Sequence, residues 1–264
     1  MFRTTLFIAL AGLSTLSTSA SAQVRDLRPA APTVILVHGA FADGASWSKV
    51  IPILQSWGVR AVAVHSPLNS LQGDVDATRR AINAAPGKVV LVGHSWGGTV
   101  ITQAGDDARV SGLVYVAAFA PDVGQSSADQ GQGFPTPPGL SGLQERDGYL
   151  WLSEAAFARD FAPDIKPREE RVLFSTQAPI KASSFGEAVS TAAWRSKPSW
   201  YLIARNDHMI APELQAATAR RIGAQMRTID SGHVLPLTHP REVAYAILAA
   251  AGIQAEDPAP HEGG

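Results

Sequence analysis

The chain of 264 residues has no cysteine. It therefore has neither disulfides nor the cysteine that a lipoprotein anchor requires. Charge of one sign is also missing: 22 basic residues face 23 acidic ones, for a formal net charge of −1. With no basic block and no acidic tail, nothing points to nucleic acid or an anionic membrane surface as a partner. No glycine-rich phosphate loop ending in Gly-Lys-Ser/Thr occurs, no His-Glu-x-x-His pair for zinc, and no internal repeat. No apolar run reaches the ~20 residues that span a bilayer. What remains is 45% hydrophobic and 17% charged, a globular composition long enough for one large domain.

The N-terminus reads as an address. Arg3 precedes an apolar run from Leu6 to Leu13, and small residues follow, ending in Ala20-Ser21-Ala22. This layout predicts a signal peptide over residues 1–22, a mature terminus at Gln23, and export to the periplasm or the medium. No integral membrane association is expected once the signal is removed. Residues 23–32 are polar and proline-containing and read as a linker, and residues 257–264 as a disordered tail.

Between these ends, short β-branched runs alternate with helical patterns. Strands are predicted at "TVILVH" (33–38), "VRAVAVH" (59–65), "KVVLVGH" (88–94), "VSGLVYVAAF" (110–119), "PSWYLIA" (198–204) and "QMRTID" (225–230). Helices are predicted between them. Trp47, Val50, Ile51, Leu54 and Trp57 have helical spacing, as have the residues of 74–85, "GGTVITQAG", Pro212 to Ile222 and "PREVAYAILAAAG". The pattern predicts an α/β fold: a mostly parallel sheet of about six strands with helices on both faces, and sites beyond the carboxyl ends of the strands. The core is expected over 33–120 and 195–256. The rhythm breaks over 121–194, rich first in Pro, Gly, Ser and Gln and then helical, with no strand pattern. That segment is expected to form a helical cap over the strand edge.

"LVGHSWGGTV" places Ser95 between Gly93 and Gly97, just past a buried strand and just before a helix. A strand-to-helix turn this tight forces an unfavourable backbone on the serine, which small neighbours accommodate. A serine hydroxyl becomes nucleophilic only when a base takes its proton, and the base needs a third group to orient it. His233, in "DSGHVLPLTHP", follows the final strand and is the candidate base. His38, His65 and His94 belong to strand ends, His208 follows the candidate acid, His239 opens the last helix and His261 is in the tail. Asp207, in "YLIARNDHMIAPE", follows the penultimate strand and is the candidate acid, with Asp122 of "FAPD" as its alternative. Asp230 is too near His233 in sequence, and Glu213 belongs to a helix's first turn. The order Ser95, Asp207, His233 is the nucleophile–acid–histidine order of α/β-hydrolases.

"VILVHGAFADGASWSKVIPIL", "GHSWGG", "ARNDHMIAPE" and "SGHVLPLTHP" together resemble the α/β-hydrolase superfamily across nearly the whole mature chain. The nearest likeness is to small bacterial esterases similar to plant methylesterases and hydroxynitrile lyases. The resemblance implies an α/β-hydrolase fold and an oxyanion hole made by the backbone N–H groups of Ala40 and Trp96, with Phe41 as the alternative to Ala40. Dehalogenase and epoxide-hydrolase relatives carry aspartate at Ser95. Hydroxynitrile lyases carry threonine and lysine where this chain has Gly39 and Val234, so cyanohydrin chemistry lacks its supports. The Trp96 side chain reads equally as a wall of the acyl pocket or as packing.

The expected activity is hydrolysis of carboxylic esters, lactones included, on a small-molecule substrate, through an acyl-enzyme and without cofactor or metal. Phe134, Trp151, Phe157 and Phe161 are the candidate pocket residues. Two other readings stay open on sequence alone. One is a binding protein, turning over slowly or not at all, on a hydrolase scaffold. The other is cofactor-free perhydrolysis or oxygenation. No motif sets the oligomeric state.

Overall fold

Near-continuous apolar runs become buried strands because both faces of the sheet are covered. The computed structural model describes Met1 and residues 31–254. The expected signal segment, most of the linker and the 257–264 tail lie outside the described residues. In chain order, β1 (Thr33–Val37) is followed by a 3₁₀ turn (Gly44–Trp47), α1 (Val50–Ser56), β2 (Ala61–Val64), α2 (Leu71–Ala84), β3 (Val89–His94), α3 (Gly97–Ala104) and β4 (Val110–Val116). An insertion follows, carrying α4 (Ser127–Gln130), β5 (Leu143–Arg146), β6 (Tyr149–Leu152), α5 (Glu154–Ala156), a π-helical turn (Phe157–Phe161), α6 (Pro167–Ser175) and β7 (Ile180–Lys181). The core resumes with β8 (Ser199–Ala204), α7 (Pro212–Arg221), β9 (Gln225–Ile229), α8 (Leu235–Thr238) and α9 (Pro240–Ala250).

Six strands form one parallel sheet in the order β2-β1-β3-β4-β8-β9. Alternate side chains of the inner strands β1, β3, β4 and β8 enter opposite cores, as the two-residue strand period requires. Ile35, Val37, Leu91, Leu113 and Tyr115 join the core that holds Val75 and Ile82 of α2 and Val100 and Ile101 of α3. Val34, Leu36, Val90, Val92 and Val114 pack with Val50 and Leu54 of α1 and Val243 and Ile247 of α9. The adjacent strands β1 and β3 send their connections in opposite directions, to β2 and to β4. Their carboxyl ends are therefore the switch point at which a crevice opens.

Two details differ from the sequence expectation. The first helical pattern divides into the 3₁₀ turn and α1, because Asp43 caps the turn by accepting the Ala45 N–H at 2.8 Å. The insertion is also not purely helical. The apolar "YLWL" run is β6, in an antiparallel three-stranded sheet ordered β5-β6-β7. The signal was Asp147-Gly148, whose positive φ values of 52° and 77° form the two-residue turn between β5 and β6. The stretch around "SFGEAVSTAAW" is two 3₁₀ turns joined by irregular chain.

Candidate active site

Ser95 stands between β3 and α3 at φ 54°, in the left-handed region that a residue with a Cβ rarely adopts. Its peptide is held by Ser95 N–H to the Val116 carbonyl at 3.2 Å and by Phe119 N–H to the Ser95 carbonyl at 3.2 Å. The turn is tight enough to exclude side chains beside it. A Cβ on Gly97 would strike the Val37 carbonyl oxygen, and one on Gly98 the Phe119 carbonyl oxygen. A Cβ on Gly39, in the loop after β1, would lie 2.8 Å from the Ser95 Cβ. That loop therefore packs directly against the serine.

The loops after β8 and β9 bring Asp207 and His233 together. His233 Nδ1 lies 2.8 Å from Asp207 Oδ2, with both side chains buried. A carboxylate only accepts, so Nδ1 carries the proton and Nε2 presents its lone pair. The other contacts of Asp207 are also donors: Oδ1 accepts the N–H groups of Met209 (2.7 Å) and Ile210 (3.0 Å), and Oδ2 accepts Gln215 Nε2 (2.7 Å). Gln215 cannot turn over. Its oxygen accepts the Ala204 N–H, and its nitrogen also donates to the Ile210 carbonyl. Sequence reasoning missed Gln215. Its only signal was its place on the second turn of a helix that begins right after the Asp207 loop.

Two more histidines shape the surroundings. His94 Nε2 donates to the His233 carbonyl at 2.9 Å, and the two rings lie 4.7 Å apart. Burial, and then the neighbouring His233, hold the His94 pKa well below the ordinary histidine value, so His94 stays neutral. His38 donates from Nδ1 to the Gly39 carbonyl and accepts the Ser66 N–H on Nε2, tying down the loop after β1. Its pKa is lowered chiefly by burial.

Ser95 and His233 line a single cavity of about 290 Å³. Ala40, Phe119, Phe134, Phe161, Phe185 and Met209 also face it, and no Asp, Glu, Lys or Arg is among its lining residues. Of the expected pocket aromatics, Phe134 and Phe161 are in the wall and Trp151 and Phe157 are not. Phe157 packs behind Phe161, with ring centroids 4.7 Å apart, and Trp151 stands on β6. Trp96 is packing rather than wall. Its buried indole donates to Asp74 Oδ2 at 2.8 Å and stacks edge-on to Phe185.

Of the two alternatives raised by the sequence, Asp122 is not brought to the site, while Phe41 lines the cavity but its N–H is not free. Asp122 pairs with Arg195 at 2.8 Å, which holds its carboxyl below the usual range, and it makes no contact with His233. The Phe41 N–H is already used, donating to the Ala178 carbonyl at 3.1 Å. The N–H groups of Ala40 and Trp96 have no hydrogen-bond partner among the described residues. The described residues hold no cluster of three or more metal-ligating side chains, and no helix among them is long and apolar enough to cross a membrane.

A strained serine between strand and helix, a histidine–aspartate pair on the last two loops and a parallel sheet together define a hydrolase architecture. Residues 34–246 match the alpha/beta hydrolase family, and the chain belongs to it. Among its relatives is a probable hydrolase, R7, of Phoma sp., 27% identical over 84% of this chain and 99% of that one. Methylesterase 2 of Arabidopsis thaliana is 27% identical over 69% of this chain and 80% of the relative. In fold, the chain is similar to the crystal structure of a pyrethroid hydrolase from Sphingobium faniae. The TM-score is 0.71 at 20% identity, covering 84% of this chain and 97% of that one.

Proposed function

We propose that this chain is a serine hydrolase of carboxylic esters whose apolar part is uncharged. The observation that carries the reading is the pairing of His233 with Asp207 in the cavity where Ser95 stands at a left-handed φ. Relatives named as a hydrolase and a methylesterase support ester hydrolysis as the reaction class. The Nε2 lone pair of His233 takes the Ser95 proton as Oγ attacks the ester carbonyl carbon. The carbonyl π pair moves onto oxygen, and the free N–H groups of Ala40 and Trp96 receive the charge. When the tetrahedral intermediate collapses, the ester C–O bond breaks and the alcohol leaves with the proton from Nε2. Water then gives its proton to Nε2 as it attacks the acyl carbon. On collapse the bond from that carbon to Oγ breaks while Nε2 returns the proton to Oγ, releasing the acid and the free serine. Asp207 keeps the imidazole in the required tautomer and offsets its transient charge.

The uncharged lining would leave an ionised substrate group unpaired, which disfavours anionic esters. A p-nitrophenyl ester panel, neutral acyl chains against a carboxylate-ended one, tests the reading on wild type and on Ser95→Ala. The neutral esters are expected to turn over, and Ser95→Ala to lower kcat by roughly 10⁴–10⁶. Near-normal turnover by Ser95→Ala would reject the serine mechanism.

A further inference from the structure

The insertion does more than wall the cavity. Its π-helical turn presents Phe161, which lines the cavity and whose ring lies 5.4 Å from the His233 ring and 6.3 Å from that of Phe41. Such turns, with one residue more than the α-helix, are concentrated at functional sites. The turn and the chain leaving it reach both loops that carry the histidine–aspartate pair. Asp164 Oδ2 accepts the N–H of Gly232, the residue before His233, at 2.6 Å. Asp160, buried, accepts from His208, the residue after Asp207, at 3.2 Å, and from Arg159. Gly139, also in the insertion, donates its N–H to the His208 carbonyl at 2.9 Å.

The close approach is built into the sequence at Gly232. A Cβ there would lie 3.0 Å from Pro163 Cγ and 3.1 Å from Asp164 Oδ2, tight enough that Pro163 or the Asp164 carboxylate would have to shift by a few tenths of an ångström to admit it. The His233 backbone is thus gripped from two sides. Asp164 holds the N–H of the preceding residue, and His94 holds the carbonyl of His233 itself.

We propose that Asp164 is a positioning residue for His233: the insertion sets the base's loop through the Asp164–Gly232 hydrogen bond. The inference rests on the reading of His233 as the general base. Asp164 itself does not line the cavity. Losing its bond should therefore move the imbalance into the chemical step and leave substrate binding alone. A small misplacement of a reacting group is enough to slow a reaction severely.

The test compares Asp164→Ala, Asp164→Asn and Gly232→Ala in the full chain with p-nitrophenyl butyrate. Asp164 is exposed, so these Asp164 variants should fold as the wild type does. Asp164→Ala and Gly232→Ala should each lower kcat roughly tenfold at unchanged KM. Asp164→Asn should recover most of the loss, because its amide oxygen accepts the same N–H. A second readout needs no turnover. The downfield proton signal of the His233 Nδ1–H should be sharp in wild type and broadened by faster exchange in Asp164→Ala. Wild-type kcat and an unchanged proton signal in Asp164→Ala would overturn the proposal, as would a loss confined to KM or one that Asp164→Asn does not restore. Failure of the wild type to hydrolyse any ester would instead reject the functional reading, and the proton signal would still decide the positioning role.

Discussion

All four contacts of the Asp207 carboxylate are donors: two backbone N–H groups, a glutamine amide and the imidazole. Such a site accommodates a carboxylate and no isostere. In Asp207→Asn the single remaining oxygen can serve the Met209 and Ile210 N–H groups only by turning the new NH₂ toward Gln215 and His233. Gln215 cannot flip to receive it, since both ends of its amide are already committed. The imidazole would then take the opposite tautomer, with its proton on Nε2 and no lone pair for the serine. Asp207→Asn is therefore expected to lower kcat by roughly 10²–10⁴ on p-nitrophenyl esters. Asp122→Asn, which loses only a surface pair with Arg195, should leave kcat unchanged. An equal fall in both variants would contradict this assignment of the acid.

At the scale of elements, the site depends on how closely α3 follows β3 under the end of β4. Gly98 shows the tolerance. Its Cβ would overlap the Phe119 carbonyl oxygen and approach the Ala118 Cβ at 2.7 Å, and backbone cannot rotate away as a side chain can. Gly98→Ala is expected to destabilise the fold by about 1–3 kcal/mol or more. Gly186→Ala, with no atom within 4 Å of its added Cβ, should stay within about 0.5 kcal/mol of wild type. Urea unfolding of both variants measures the difference, and equal midpoints would contradict the packing argument. The same strand–turn–helix units were legible in the sequence because burial on both sheet faces imposes apolar runs, and strand ends then locate Ser95, Asp207 and His233. The insertion was less legible. Its β5–β6 hairpin carries the Asp-Gly turn signal, but "YLWL" is apolar without alternation, and alternation is what separates a strand from a helix. Which aromatics face the cavity is decided by how the insertion lies on the core, so Phe157 and Phe161 look alike in sequence and differ in place. Gln215 and Asp164 act across distances of eight and 68 residues along the chain, and no local pattern marks either.

At the scale of the whole molecule, one buried carboxylate couples stability to pH. Asp74 is 1% exposed, accepts the Trp96 indole N–H and the Leu68 N–H, and faces Glu187. Burial is the largest influence and pushes its pKa up to about 6 from 3.8. The folded chain therefore binds this proton more tightly than the unfolded chain does. The stabilising contribution of the protonated form is lost as pH rises from about 4 to about 6, a change of roughly 3 kcal/mol. The stability of the wild type relative to Asp74→Asn should fall across that window in urea titrations, and a flat difference would contradict it. The account as a whole stands on Ser95 as the nucleophile, and a fluorophosphonate probe tests that most directly, because it bonds only to an activated serine. Treated full-length protein, digested and mapped by mass spectrometry, should carry one adduct, on Ser95, and Ala substitution of His233 should abolish labelling. An adduct on another serine, or none on a folded wild-type chain, would contradict the account.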